Sequence, residues 1–137
     1  MKKVLYSSIF LFTILASCGK KEDLGCRSKS CTSESKSIVM RTVDQNGNPT
    51  SVIMMNAVNM RTKKTYTNLK KNVDPVNGNI SYTIATDDDI KDFSEEGDNV
   101  TLLARVASGE LSYSIKIAGG ECACHVTKLS SVEFIVL

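Results

Sequence analysis

Only one histidine, His125, occurs among the 137 residues, and there is no G-x-S-x-G motif and no C-x-x-C pair. Cys/His hydrolysis and thiol–disulfide catalysis need partners of those kinds, so the chain is not expected to be an enzyme. No apolar run approaches the ~20 residues that a membrane-spanning helix requires. Charge is also nearly absent in sum, with 17 basic and 15 acidic side chains giving a net of +2. A nucleic-acid-binding domain would be strongly basic, so nucleic acid is not an expected partner. There is no internal repeat.

What is present begins at the N-terminus. The stretch MKKVLYSSIFLFTILASC joins a basic start at Lys2 and Lys3 to an apolar run from about Val4 to Leu15 and then small residues. This is the layout of a secretory signal peptide. The junction Leu15-Ala16-Ser17-Cys18 resembles the lipobox of bacterial lipoproteins. That resemblance implies a diacylglycerol on the Cys18 thiol and cleavage before it, leaving residues 1–17 as signal. Each buried methylene adds about 0.8 kcal/mol to membrane affinity, so two or three acyl chains make a lasting anchor. The membrane is thus the first expected partner, reached through Cys18. Gly19 in place of Asp resembles lipoproteins sent to the outer membrane. Lys21-Glu22-Asp23 resembles a surface-export signal of some Gram-negative lipoproteins, which implies outward display.

Once Lys2 and Lys3 leave with the signal, 15 basic residues face 15 acidic ones. These charges are segregated. Arg61, Lys63, Lys64, Lys70 and Lys71 have no acid among them, while Asp87, Asp88, Asp89, Asp92, Glu95, Glu96 and Asp98 crowd one stretch. Two solvated loops or strand faces are the plain reading. The acidic stretch DDDIKDFSEEGD offers oxygen ligands for calcium, yet departs from the D-x-[DN]-x-[DN]-G loop because its glycine comes late. A short helix around Asp88 to Glu95, with acids at its N-terminal dipole, is expected instead.

Residues 18–36 are polar and read as a tether. Residues 37–137 are long enough for one domain, and small enough to benefit from staples. Apolar side chains there recur at spacing two: Ile80, Tyr82, Ile84; Val100, Leu102, Ala104, Val106; Leu111, Tyr113, Ile115, Ile117; Val132, Phe134, Val136. Such alternation marks one face of half-buried strands. Val52 to Met60 is apolar on both faces in places, which suggests a more buried strand. Turn signals separate the runs at Asn46-Gly47-Asn48-Pro49, Asn77-Gly78, Gly97-Asp98, Ser108-Gly109 and Gly119-Gly120. About seven short strands punctuated in this way predict an all-β, antiparallel β-sandwich. Ser37 to Val43 followed by Asp44-Gln45-Asn46-Gly47-Asn48-Pro49 resembles the opening of transthyretin-like, or carboxypeptidase regulatory-like, domains. In those domains a first strand ends in a D-x-x-G-x-P turn, and a later turn glycine precedes an alternating strand, a part that Asn77 to Tyr82 fits here. The resemblance covers most of residues 37–137 and implies a non-catalytic binding or accessory module. The acidic insertion and the C-terminal cysteines depart from it.

Five cysteines are an odd set for an exported chain, where oxidising conditions favour pairs. Lipidation of Cys18 leaves Cys26, Cys31, Cys122 and Cys124, for which three pairings are possible. In an extended strand, residues i and i+2 have Cα atoms about 6.5 to 7 Å apart, at the limit of disulfide geometry. Cys122 and Cys124 are therefore poor partners for each other and well placed to meet Cys26 and Cys31 from the tether. The alternative is a zinc or copper site built from Cys122, Cys124 and His125 with Cys26 or Cys31, assisted by Met40, Met54, Met55 or Met60. Against it, GGECACH reads as a strand on which His125 points away from both cysteines, and C-x-C is not the C-x-x-C of zinc knuckles. His125 then reads as a partly exposed strand residue, the methionines as core fillers.

The expected function is that of a lipid-anchored cell-envelope lipoprotein, a non-enzymatic binding or accessory module with a protein or glycan partner and no cofactor. Recognition is expected at loops at one end of the sandwich, or at the unlike-charged loops Arg61 to Lys71 and Asp87 to Asp98. A metal-handling lipoprotein and a purely structural envelope component are the competing classes.

Overall fold

The computed structural model describes residue 26 and residues 30–137, so the signal segment 1–17 and Cys18 lie outside the described residues. Nine strands run in chain order: β1 (Ser37–Val43), β2 (Met54–Asn59), β3 (Thr65–Tyr66), β4 (Lys71–Val73), β5 (Ile80–Thr86), β6 (Asp98–Val106), β7 (Gly109–Ala118), β8 (Thr127–Lys128) and β9 (Phe134–Val136). A 3-10 helix, Asp87–Asp92, joins β5 to β6. The strands form two sheets, ordered β4-β5-β1-β9 and β3-β2-β6-β7-β8. Each sheet buries one face against the other, which makes the domain an all-β sandwich.

The core follows from the period of two. Ile38, Met40 and Thr42 of β1, Tyr82 and Ile84 of β5 and Ile135 of β9 are buried on one sheet. Met55 and Ala57 of β2, Val100, Leu102 and Ala104 of β6, and Ile115 and Ile117 of β7 are buried on the other. Full burial of each large aliphatic side chain stabilises by about 1.5–3 kcal/mol. β6 and β7 pair without interruption from Asp98↔Ile117 to Val106↔Gly109, and their inward residues match the alternation read from the sequence. Tyr82 links the layers: its hydroxyl meets both the amide and the carbonyl of Val52, just before β2.

Several local expectations are corrected. The sandwich holds nine strands among the described residues rather than about seven, because four of them are only two or three residues long. It is not wholly antiparallel, since β9 runs parallel to β1, with Arg41 opposite Phe134 and Val43 opposite Val136. Phe134 and Val136 share a face, but it is the outer one. Phe134 is 47% exposed and Ile135 fully buried, while Val132 lies outside the strand. Val52 to Met60 is not buried on both faces: Ile53 and Met60 are exposed, and within β2 buried residues alternate with half-buried ones. The acidic helix is shorter than expected and of the 3-10 type, since Phe93 turns extended to drop its ring into the core. Its start is a capping box, with Thr86 and Asp89 bonding each other's backbone.

Pairing also defines the two ends of the sandwich. Ser37↔Thr86, Asp98↔Ile117 and Asn59↔Val100 mark one end, which carries the 3-10 helix, the turn at 60–64 and the loop 119–126. The opposite end carries the turns at 44–49, 74–79 and 107–108.

Candidate functional site

β7 ends at Ala118, and the chain then folds back over the 3-10 helix. Gly119 makes this possible, because a Cβ there would run into the Ile90 carbonyl oxygen and crowd Phe93 Cβ at 3.1 Å. Its amide donates to Ser94 O at 3.0 Å, and the Gly120 amide to Ile90 O at 2.8 Å. Gly120 has φ +102, in the left-handed region that favours glycine. GGECACH is therefore a tight loop between β7 and β8 rather than a strand, so alternation does not set the direction of His125.

Onto this loop the tether is fastened twice. Cys26 is bonded to Cys122 and Cys31 to Cys124, with Cα atoms 5.0 and 5.3 Å apart. Both disulfides thus join an N-terminal cysteine to a C-terminal one. Between and beside them lies a polar seam. His125 Nδ1 is 2.8 Å from Asp87 Oδ2, and His125 Nε2 is 2.9 Å from Thr32 Oγ1. Asp87 also accepts the Lys36 amide at 2.7 Å and the Val126 amide at 2.9 Å. The Lys36 amide, then the His125 ring, hold the Asp87 carboxyl down at about 2. An ionised Asp87 takes a proton-bearing Nδ1, which leaves Nε2 of a neutral ring to accept from the Thr32 hydroxyl.

Hydroxyl, imidazole and carboxylate have the connectivity of a hydrolytic triad. Here each partner sits on the tether, on the cysteine loop or at the start of the 3-10 helix, so the network closes the joint that the disulfides cross-link. Beside it lies a cleft of ≈ 340 Å³ lined by Glu95, Ala118, Gly119, Ala123, His125, Thr127 and Leu129. Nothing in the sequence joins Thr32 or Asp87 to His125, because these contacts span separations of 93 and 38 residues.

The unlike-charged loops meet each other at the same end of the sandwich. Arg61 Nε donates to Asp98 Oδ1 at 2.7 Å, and its Nη2 to Asp92 O at 3.1 Å. Lys64 pairs with Asp92, which also accepts from the Tyr66 hydroxyl at 3.0 Å. Lys64 lies 5.0 Å from the Tyr66 ring centroid, and that ring stacks on Phe93. Desolvation, then Asp92, push the Tyr66 hydroxyl well above its ordinary value.

Asp98 is only 4% exposed and accepts from Arg61, from Asn59 Nδ2 at 2.8 Å and from Ser94 Oγ at 2.7 Å. Burial pushes its carboxyl up, and the three donors together outweigh that, bringing it down to about 2. The fully buried Asn59 completes the knot, with Oδ1 accepting the Arg61 and Thr62 amides. Nothing in the sequence singles out Asn59, since Val52 to Met60 stands out for its apolar residues.

Four of the seven acids read as possible calcium ligands are thereby committed: Asp87 to the seam, Asp89 to the cap, Asp92 and Asp98 to the basic loop. Among the described residues no three His, Cys, Asp or Glu side chains converge to hold a metal ion. The four sulfurs proposed as zinc or copper ligands are joined in disulfides, which removes them as thiolates. Met40 and Met55 are core residues as expected, whereas Met54 is half-buried and Met60 exposed. No helix among the described residues is long and apolar enough to cross a membrane. Comparison with protein-family models, with curated proteins and with solved structures gives no match.

Proposed function

We propose that this chain is a lipid-anchored lipoprotein of the bacterial cell envelope, held at the outer membrane through Cys18, with a transthyretin-like sandwich acting as a non-enzymatic binding or accessory module. The observation that carries the reading is the sequence Leu15-Ala16-Ser17-Cys18, placed directly before a polar segment whose next two cysteines are both disulfide-bonded. Paired disulfides belong to oxidising compartments, in agreement with export. Metal handling by the Cys/His cluster is the weaker reading, because it requires the thiolates that the disulfides consume.

Recognition falls to the end of the sandwich opposite the disulfides. Several charges of the Arg61 to Lys71 and Asp87 to Asp98 loops neutralise one another across the fold, whereas the opposite end exposes Ile53 (70%) and Val76 (92%) beside turns whose only charged residues are Asp44 and Asp74. Loops at the end of a rigid sandwich are a common place for binding residues.

The test is metabolic labelling of cells producing the full chain with an alkyne analogue of palmitate. Label should attach to the wild type and be lost in Cys18→Ser, and blocking the lipoprotein signal peptidase should leave an uncleaved precursor. A wild-type chain without label, cleaved elsewhere, would overturn the reading.

A further inference from the structure

The disulfides decide how much of the tether is free. From Cys18 to the first residue of β1, Ser37, is 19 residues, but Cys26 is already bonded to the domain at Cys122, only 8 residues after Cys18. An extended chain spans at most about 3.6 Å per residue, so the reach falls from about 68 Å to about 29 Å. The attachment point is also asymmetric. Cys122 lies just past the end of β7, on the end of the sandwich shared with the 3-10 helix. Nine residues of β6 separate this end from the turn at 107–108, a distance of about 30 Å at the usual rise of a strand.

We infer that the two disulfides set the orientation and stand-off of the domain on the membrane. The loop 119–126 is the membrane-proximal end, within about 30 Å of the lipidated residue. The turns at 44–49, 74–79 and 107–108 form the membrane-distal end. Without the disulfides a 19-residue polar tether would let either end face the bilayer. With them the charged knot and the seam around His125 look toward the lipid, and the turns that begin at Asp44 and Asp74 look away. This inference rests on the lipid-anchor reading of Cys18.

The experiment uses the purified, lipidated full chain in phosphatidylethanolamine–phosphatidylglycerol vesicles that carry headgroup-labelled acceptor lipids. A fluorescent noncanonical amino acid is placed at the exposed positions Glu121 or Ser108, and energy transfer to the bilayer is read. Transfer should be strong from position 121 and weak from position 108. In Cys26→Ala/Cys122→Ala, where the second disulfide remains, the free segment grows to 13 residues, a reach of about 47 Å, and transfer from position 121 should drop. Equal transfer from both positions of the acylated wild type, or transfer from position 121 unmoved by the longer tether, overturns the inference alone. Mass spectrometry showing no acyl chains on Cys18 overturns it together with the lipid-anchor reading.

Discussion

Removing both disulfides should cost about three times as much as removing one. The bonds close nearly the same loop, with sequence separations of 96 and 93 residues. In the chain-entropy relation either one alone takes about 4.7 kcal/mol of freedom from the unfolded chain. Once one is in place, the other closes only the small ring formed by residues 26–31 and 122–124, on the order of 8 residues, which is worth about 2.5 kcal/mol. Cys26→Ala/Cys122→Ala and Cys31→Ala/Cys124→Ala should therefore each cost about 2.5 kcal/mol, and the quadruple variant about 7. The excess over additivity, about 2 kcal/mol, is the signature of two staples on one loop. Small domains are stable by about 5–15 kcal/mol in all, so either pair alone should leave a folded protein and loss of both should bring it to the edge of unfolding. Urea denaturation of the soluble protein from residue 19 onward measures all three. Strictly additive losses would refute the argument, as would a single-pair variant already as unstable as the quadruple one.

Four further outcomes are expected. Asp98 ionises at about 2 in the folded chain against 3.8 ordinarily, so its contribution is complete above about pH 4 and is lost as pH falls through 2. Asp98→Asn should cost on the order of 2 kcal/mol at neutral pH, with the gap to wild type closing near pH 2; a gap independent of pH would refute this. Gly119→Ala has to push the Ile90 carbonyl aside and should lower stability by about 1–3 kcal/mol, seen as a lower urea midpoint, whereas a neutral effect would mean the loop packs less tightly. Ile117→Ala, at a fully buried position of β7 near the end of the sandwich, should cost about 2–5 kcal/mol by the same assay. Asp87→Asn should speed amide hydrogen exchange at both Lys36 and Val126, since one carboxylate serves both; unchanged rates would dissolve the seam as a unit.

The parts of the fold legible in the sequence are those where one parity is apolar and the other polar. Along β6 and β7, Val100, Leu102, Ala104, Ile115 and Ile117 stand against Thr101, Arg105, Ser112, Ser114 and Lys116, and the structure buries the first set. Near β9 both parities are apolar, and the choice between Phe134 and Ile135 is made by pairing beside β1, more than 90 residues away. The GGECACH loop was misread because its residue types suit a strand, while the close approach of Gly119 to Ile90 is a tertiary fact. The segregated charges were visible, but not that Arg61 and Lys64 would reach Asp98 and Asp92. The cysteines could be grouped by compartment and count, and the i, i+2 spacing directed Cys122 and Cys124 to Cys26 and Cys31, as the structure has them, with the choice between the two cross-pairings left open.

The placement of β9 also orders events in time. β1 sits between β5 and β9, and the Leu137 amide bonds Val43 O at 2.8 Å. In a chain that emerges residue by residue from its N-terminus, β1 and β5 can meet early, but the other side of β1 stays open until residues 134–137 have appeared. Ile135, which fills the core from that side, arrives with them, and the partners of Cys26 and Cys31 come only a little sooner. Closing loops of this length is slow compared with local pairing. The side of β1 that faces β9 is therefore the last part of this sheet to be covered, and Ile135 the last side chain to enter the core.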